Sequence, residues 1–185
     1  MKMTGKDQFM HKIPFVKTFE FTKIAGIGNI RFGKGVLIDD FVFIYATEKM
    51  TIGNYVHIAC FASITGGAEF EIGDFSAISQ GSRILMGTDD FKNWGFGNST
   101  IPGKYRNVKR APVRIGRFCI IGANSVVLPG VTIGEGATIG ACSVVTRDLE
   151  PWGVYVGNRK ISERDKEAVL KTYNSFLSET ENSRD

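Results

Sequence analysis

The 185-residue chain contains few of the residues that build metal and disulfide sites: two histidines, His11 and His57, and three cysteines, Cys60, Cys119 and Cys142. Three cysteines cannot all pair within one chain, and none stands in a CxxC motif. They therefore indicate small packing residues in a cytoplasmic protein rather than a redox centre. A zinc enzyme of the carbonic anhydrase kind needs about three histidine ligands. Because His11 lies outside the repeat described below, the sequence predicts no metal.

Long apolar runs and clustered charges are also missing. No apolar run approaches the roughly 20 residues that cross a bilayer, and the start MKMTGKDQFMHKIPF lacks the apolar segment of a signal peptide. We therefore expect no membrane span and a cytoplasmic location. The net charge of +4 is spread along the chain, which suits a small anionic ligand and does not favour nucleic acid. An apolar fraction of 43% predicts one folded domain.

What the chain does have is a repeat of six residues. In the second half an aliphatic residue returns at every sixth position, and glycine follows four of the six: Ile115, Ile121, Val127, Ile133, Ile139 and Val145. A small or short-branched residue stands four places after the first five. The same phase appears upstream in three triplets: Phe32, Ile38, Ile44; Ile52, Ile58, Ile64; and Ile72, Ile78, Ile84.

This period predicts an all-β solenoid, a parallel β-helix of about five to six coils of 18 residues. Each hexad places one aliphatic side chain on the axis, and Gly, Asn or Asp is expected at the sharp corners. The first two coils carry two extra residues each, near 47–50 and 66–69. Five coils start at Phe32, Ile52, Ile72, Ile115 and Ile133, and a degenerate one is expected around 21–30. The alternative is a glycine-rich β-sandwich, whose strands would show apolar and polar residues alternating with a period of two.

Three segments depart from the repeat: an amino-terminal cap at 1–31, an inserted loop at 87–114, and a tail with a helix at 151–185. The β-helix itself is assigned to 32–150, and the loop lies within it. The loop is aromatic, with Phe91, Trp94, Phe96 and Tyr105, and predicts an ordered arm that packs on a neighbour and shapes a pocket. The alternative is a flap that only covers a coil edge.

Both ends are expected to cover open coils. Apolar residues at helical spacing predict a carboxyl-terminal helix, started by Ser162 and Asp165, that covers the last coil: Val169, Leu170, Tyr173, Phe176 and Leu177. A phenylalanine-rich start is expected to cover the first coil: Phe9, Phe15, Phe19 and Phe21.

His57 is the candidate for chemistry. It stands just before Ile58, so its side chain points outward, in a column with Leu37, Ala77, Ile120 and Thr138. A neutral imidazole can accept a proton from a hydroxyl or an amine near neutral pH. The alternative is an ordinary surface or packing histidine. A covalent route through Cys60 is disfavoured, because strand residues three apart face opposite ways.

The run IGRFCIIGANSVVLPGVTIGEGATIGACSVVTRDLEPWGVYVGN resembles the carboxyl half of bacterial hexapeptide-repeat acetyltransferases of the galactoside and maltose O-acetyltransferase type. The pieces GNYVHIACFASITGG, ILMGTDDF and PGKYRNV are similar to a branch that acetylates surface polysaccharides or nucleotide-sugars. The resemblance implies left-handed coils, a homotrimer with sites between subunits, acetyl-coenzyme A as donor and a histidine base, for which His57 is the matching residue.

The resemblance also suggests binding residues. Asp89 or Asp90 would orient the imidazole or bind sugar hydroxyls, unless they only cap a turn, and Trp94 and Tyr105 would contact the acceptor. The coenzyme would lie at the corners formed by Ala123, Asn124, Ser125 and Ala141. Its phosphates would meet basic residues that otherwise are plain surface charge: Arg147, Arg159 and Lys160. The family's GNP motif is altered here, since Gly157 and Asn158 run directly into Arg159.

The predicted function is therefore transfer of an acetyl group from acetyl-coenzyme A to a hydroxyl or amino group of a sugar or nucleotide-sugar, in surface polysaccharide synthesis. The alternative is a non-catalytic β-helix that assembles partners, since fold alone does not establish function.

Overall fold

The computed structural model describes residues 12–182 of the chain, so His11 and Phe9 lie outside the described residues. Numbered along the chain, the strands are β1 (Val16–Lys17), β2 (Lys23–Ala25), β3 (Ile30–Phe32), β4 (Val36–Ile38), β5 (Phe43–Tyr45), β6 (Met50–Ile52), β7 (His57–Ile58), β8 (Ser63–Thr65), β9 (Phe70–Ile72), β10 (Ala77–Ile78), β11 (Arg83–Leu85), β12 (Gly87–Thr88), β13 (Lys109–Arg110), β14 (Val113–Ile115), β15 (Ile120–Ile121), β16 (Val126–Val127), β17 (Thr132–Ile133), β18 (Thr138–Ile139), β19 (Val144–Val145), β20 (Gly153–Val156) and β21 (Arg159–Glu163). Short 3₁₀ turns cover Ile27–Asn29 and Gly103–Tyr105, and one α-helix, α1, covers Lys166–Asn182.

Apart from the antiparallel pair β12 and β13, the strands stack into three sheets that wind as a left-handed parallel β-helix, as expected. Sheet A has the order β1-β4-β7-β10-β15-β18-β20-β21, sheet B the order β19-β16-β11-β8-β5-β2, and sheet C the order β17-β14-β9-β6-β3. Sheet B takes one strand from each of six coils. The degenerate first coil is real: β1 pairs with β4 and β2 with β5, so stacking already begins at Val16.

The axis of the coils is filled by the aliphatic residues that the six-residue period placed there. In sheet A, Ile58 pairs in register with Ile38 below and Ile78 above, and all three are fully buried. The other predicted inward residues are buried as well, except Phe32, which is partly buried at the end of the core. Stacked identical aliphatics therefore form one continuous core along the axis.

The corners meet the sequence expectation of Gly, Asn and Asp only in part: Gly35, Gly81, Gly136 and Asn124 have positive φ there. Many corner residues with positive φ are aromatic, which costs free energy for a side chain with a Cβ. Stacking on the next coil offsets this cost: the ring centroids of Phe41 and Phe61 lie 5.1 Å apart and those of Tyr55 and Phe75 5.0 Å apart. The non-glycine residues in this conformation among the described residues are Phe15, Phe41, Tyr55, Phe61, Phe75, Phe118, Asn124, Cys142 and Trp152.

The ends of the solenoid are covered differently from the prediction. The last coil continues as an antiparallel hairpin, β20 and β21, at the edge of sheet A. Helix α1 does not lie over that coil; it packs sideways on the aromatic corner between sheets C and A, where Tyr173 contacts Phe75 and Phe118. The helix follows this column because the stacked rings offer a longer apolar surface than one coil end.

The helix start and the first coil also need correction. Asp165 caps α1 by accepting the N–H of Ala168 at 2.9 Å, whereas Ser162 belongs to β21. Phe15 and Phe21 do not cover the first coil: Phe15 stands at the corner between sheets C and A, Phe21 stacks on Phe41, and both rings are exposed.

Candidate active site

His57 lies where the sequence placed it, on the outer face of sheet A. Its register partners are Leu37 in the coil below and Ala77 in the coil above. The side chain is 44% exposed, and its Nε2 lies 3.0 Å from Oδ2 of Asp39. A carboxylate only accepts hydrogen bonds, so Nε2 must donate, which leaves the lone pair on Nδ1. Within residues 12–182 no hydrogen bond to Nδ1 is found, so this nitrogen is available as a proton acceptor.

Asp39 is a site residue that the sequence reasoning missed. Its backbone N–H donates to the carbonyl of Ile58 at 2.9 Å, which fixes the start of the corner beneath His57. A signal was present, because Leu37 is the register partner of His57 and a residue two places on faces the same side of a strand. The Asp pair at 89 and 90 does not orient this imidazole within one chain.

A cavity of about 550 Å³ opens at the corner between sheets B and C. The surplus residues of the first two coils and the long arm all leave the repeat at this same corner, so they stack on one another. Gly66 lies so close to the backbone of Met86 and Gly87 that a Cβ there would meet their atoms at 2.2 to 2.5 Å. The lining is polar and basic: Tyr45, Thr47, Thr65, Gly66, Gly67, Gly87, Thr88, Asp89, Ser99, Arg106, Val108 and Arg110.

The two neighbouring aspartates of the arm have different surroundings. Asp89 lines the cavity, and its Oδ1 lies 3.4 Å from Nη2 of Arg106. Asp90 accepts hydrogen bonds from the backbone N–H groups of Lys92 and Asn93 and from the side chains of Asn93 and Asn107. The hydrogen bonds, chiefly that from the backbone of Asn93, hold the pKa of Asp90 well below its ordinary value. Asp90 therefore shapes the arm, whereas Asp89 faces the cavity.

Trp94 and Tyr105, predicted to contact the acceptor, do not line this cavity. Both are exposed on the arm, although the arm itself is ordered by pairing of β12 with β13 and by a hydrogen bond from the N–H of Phe96 to the carbonyl of Tyr105. His57 is likewise absent from the cavity lining. One chain thus presents two separate groups of candidate residues.

The predicted coenzyme residues lie at the corners between sheets A and B, in the coils nearest the carboxyl end of the β-helix. Asn124 takes a left-handed conformation with φ 57°, and Ala123 and Ala141 flank the same corner column. Ser125 is fully buried, and its hydroxyl donates to the carbonyl of Gly140 and accepts the N–H of Ser143. The hydroxyl of Ser125 therefore already donates and accepts hydrogen bonds within the β-helix.

Of the basic residues predicted to meet the phosphates, Lys160 already forms an ion pair within the chain. The ammonium of Lys160 lies 2.6 Å from a carboxylate oxygen of Glu163, and this hydrogen bond raises the pKa of Lys160. Arg147 and Arg159 are exposed. Asn158, at the altered motif, holds the turn by accepting the N–H of Thr146 at 2.9 Å.

Neither a metal-binding cluster nor a membrane-spanning helix is found among residues 12–182. No group of three or more His, Cys, Asp or Glu residues in this range could hold a metal ion. No helix in this range is long and apolar enough to cross a membrane.

Comparison with known proteins identifies the class. Residues 112–147 match the family described as bacterial transferase hexapeptide (six repeats). The chain is 39% identical over 157 residues to dTDP-4-amino-4,6-dideoxy-D-glucose acyltransferase of Escherichia coli, covering 83% of this chain and 82% of the relative. The chain belongs to the hexapeptide-repeat family of sugar acyltransferases.

Solved structures agree. AntD, an N-acyltransferase from Bacillus cereus in complex with dTDP and 3-hydroxybutyryl-CoA, is 37% identical with a TM-score of 0.83, covering 91% of this chain and 89% of that one. A maltose O-acetyltransferase from Clostridium difficile is 26% identical with a TM-score of 0.61, covering 72% and 69%. The protein is accordingly an acyl-coenzyme A-dependent sugar acyltransferase.

Proposed function

We propose that the protein is a homotrimer that transfers an acetyl group from acetyl-coenzyme A to the amino group of a dTDP-linked amino sugar, for surface polysaccharide synthesis in the cytoplasm. The observation that carries the proposal is the basic cavity beside Asp89 in a chain whose relative acts on dTDP-4-amino-4,6-dideoxy-D-glucose. O-acetylation of a sugar is the second candidate, favoured by the likeness to maltose O-acetyltransferase.

The cavity suits a nucleotide-linked sugar in size and charge. Its volume of about 550 Å³ lies within the usual range for small-molecule sites. Arg110 offers a guanidinium to a diphosphate, and Nε of Arg106 is buried without a hydrogen-bond partner among the described residues. Tyr45 adds an aromatic face for the base, and Asp89 an acceptor for the sugar amine. A non-catalytic scaffold would not need this combination.

The donor would lie along the corners of the upper coils. Backbone groups at Ala123, Asn124 and Ala141 would contact the pantetheine arm, and Arg147 and Arg159 would meet the phosphates, with Lys160 more weakly because Glu163 already binds it. AntD binds 3-hydroxybutyryl-CoA, which carries a larger acyl group than acetyl. The choice of acetyl in the proposal is therefore tested by comparing the rates with a series of acyl-coenzyme A donors.

The reaction needs one proton acceptor. The acceptor nitrogen attacks the thioester carbonyl, and Nδ1 of His57 takes the proton that the nitrogen loses. The C–S bond then breaks, and the imidazolium returns this proton to the departing sulfur, so coenzyme A leaves as the thiol. Backbone N–H groups at a corner stabilise the oxyanion, and Asp39 holds the imidazole in the required tautomer. Asp89 binds the acceptor. His57 and the cavity are apart in one chain, so the proposal assigns them to neighbouring subunits of the trimer.

Ligand binding and turnover test the function separately. Coenzyme A and dTDP should each raise the melting temperature, because a ligand that binds only the folded state stabilises it. Thiol release should then appear with dTDP-4-amino-4,6-dideoxyglucose and be absent with maltose. Release with maltose alone would instead support the O-acetyl candidate, and no release with any sugar together with no thermal shift would refute acyl transfer.

A further inference from the structure

The corner between sheets A and B changes in composition halfway along the β-helix. In each coil one residue stands two places before the strand of sheet B. In the first three coils this residue is a phenylalanine, and in the last three it is small or polar. In chain order the six residues are Phe21, Phe41, Phe61, Gly81, Asn124 and Cys142. The aromatic part of the corner therefore ends at Phe61.

The three phenylalanines form one stack of rings. The centroids of Phe21 and Phe41 lie 5.3 Å apart and those of Phe41 and Phe61 5.1 Å apart, with the planes parallel within 4°. Among the described residues, Phe41 is the only ring that stacks on Phe61. The other face of Phe61 is turned toward the next coil, where Gly81 has no side chain. Phe61 thus presents a flat apolar surface toward the carboxyl end.

The backbone holds this surface in place. Nη1 of Arg83 donates to the carbonyl of Phe61 and, at 2.7 Å, to the carbonyl of Gly81. A side chain larger than hydrogen does not fit at Gly81, because a Cβ there would lie 2.1 Å from Oδ1 of Asn124. The corner therefore passes from a polar amide at Asn124 to an apolar ring at Phe61 over a short distance.

This change falls at the coil that carries the proposed base. Phe61 follows His57 in the same coil, with Ile58 and the corner between them. The backbone N–H of Gly81 donates to the carbonyl of Cys60 at 3.0 Å, which places Gly81 one coil further on. Adjacent strands lie about 4.8 Å apart, so the ring of Phe61 lies about that distance below the last small residue of the corner.

The donor of the proposed function would run along the corner toward this ring. Its phosphates would meet Arg147 and Arg159 beyond the last coil, and its pantetheine arm would pass Ala141 and Asn124. The thioester end would then point down the corner toward the coil of His57. An acyl chain that continues in this direction meets the open face of Phe61.

We propose that Phe61, held by the contacts of Arg83, limits the length of the acyl group that the enzyme transfers. The methyl group of acetyl packs on the face of the ring, whereas the two further carbons of a butyryl group would enter the volume that the ring fills. This inference rests on the proposed function, because the position of the donor is taken from it. AntD binds a four-carbon donor, 3-hydroxybutyryl-CoA, on a similar fold, so a side chain and not the fold must set the length.

The ratio of rates with two donors tests the limit. Phe61→Ala should raise kcat/KM for butyryl-coenzyme A relative to acetyl-coenzyme A by about 10- to 100-fold, since a methylene group in an apolar pocket carries about 10-fold or more. Phe21→Ala is the matched control. It removes a ring from the same stack with the same exposed fraction of 57%, but two coils further from His57, so the ratio should stay at the value of the unsubstituted protein.

Three results would overturn the proposal. One is an unchanged ratio in a folded Phe61→Ala protein, and another is an equal rise in Phe21→Ala. The third needs no variant: an unsubstituted protein that uses butyryl- and acetyl-coenzyme A with equal kcat/KM has no limit at this length. If Phe61→Ala fails to fold, Phe61→Leu keeps an apolar side chain at the corner and should raise the ratio in the same direction by a smaller factor.

Binding without an acceptor separates this inference from the proposed function. Calorimetry should show that the unsubstituted protein binds butyryl-coenzyme A about 10-fold or more weakly than acetyl-coenzyme A, and that Phe61→Ala binds the two about equally. If this difference is found but no sugar amine is acetylated, the proposed function is wrong and the length limit stands. If a sugar amine is acetylated but both thioesters bind the unsubstituted protein equally, the length limit alone is wrong.

Discussion

The Oδ2 atom of Asp39 lies 3.0 Å from Nε2 of His57, although 18 residues separate them. The contact exists because the coil below places Leu37 in register with His57, and Asp39 follows on the same face. It fixes which imidazole nitrogen donates, and hence which one can take a proton.

Substitution of Asp39 should therefore act on the chemical step. An asparagine at this position can present its N–H₂ group to the ring and favour the other tautomer, so Asp39→Asn should lower kcat by about 10-fold or more with little change in either KM. Initial rates over a range of both substrates measure this split. Asp39→Glu should restore part of the loss.

Asp40→Asn is the control for that experiment. Asp40 is the next residue, and its carboxylate accepts the N–H of Phe21 at 2.7 Å, so its role is in the fold of the corner. If Asp40→Asn lowers kcat as much as Asp39→Asn does, the positioning role of Asp39 is wrong.

The two aspartates of the arm should respond differently. Asp89→Asn removes the charge that faces the cavity and should raise the KM for the acceptor by about 10- to 100-fold, the usual weight of a hydrogen bond to a charged group. The KM for the donor should not move. Asp90→Asn should change the acceptor KM much less, since Asp90 bonds only to its own arm. An equal effect of both substitutions would mean that Asp89 acts through the arm's conformation.

The thiol of Cys119 should make stability fall at alkaline pH. Burial raises its pKa from 9.0 to about 12, so the folded protein keeps a proton that the unfolded chain releases above pH 9.0. The unfolded state is then favoured progressively between those two values. The free energy of unfolding, measured by chemical denaturation below pH 9.0 and within this window, gives the loss of stability. The substitution Cys119→Ala should reduce this dependence on pH. Cys142, which is exposed, should react with a thiol reagent in the native protein while Cys119 does not.

The sequence predicted the parts of the fold that repeat. The inward column, the outward position of His57 and the corner where the two short insertions fall all follow from the six-residue period. The aromatic corners were missed because the cost of a positive φ is offset by stacking between coils, which no single hexad shows. The position of α1 was missed for the same reason, since the surface it covers is the stack of Tyr55, Phe75 and Phe118.

The site was predicted less completely than the fold. His57 could be identified because it interrupts an apolar column, and Asp39 could have been found by counting back one coil. The cavity depends on how three insertions pack on one another. The roles of Asp89 and Asp90 depend on which of the two carboxylates accepts hydrogen bonds from the arm's own N–H groups. Such side-chain contacts are not encoded in spacing.

The most direct test of the account is the rate of coenzyme A release from acetyl-coenzyme A with dTDP-4-amino-4,6-dideoxyglucose, compared between the unsubstituted protein and His57→Ala. We expect acceptor-dependent release in the former, with a product heavier by one acetyl group, and a rate lower by about 10²- to 10⁴-fold in the variant, with coenzyme A still bound. Near-equal rates for the two proteins would contradict the assignment of His57 as the base.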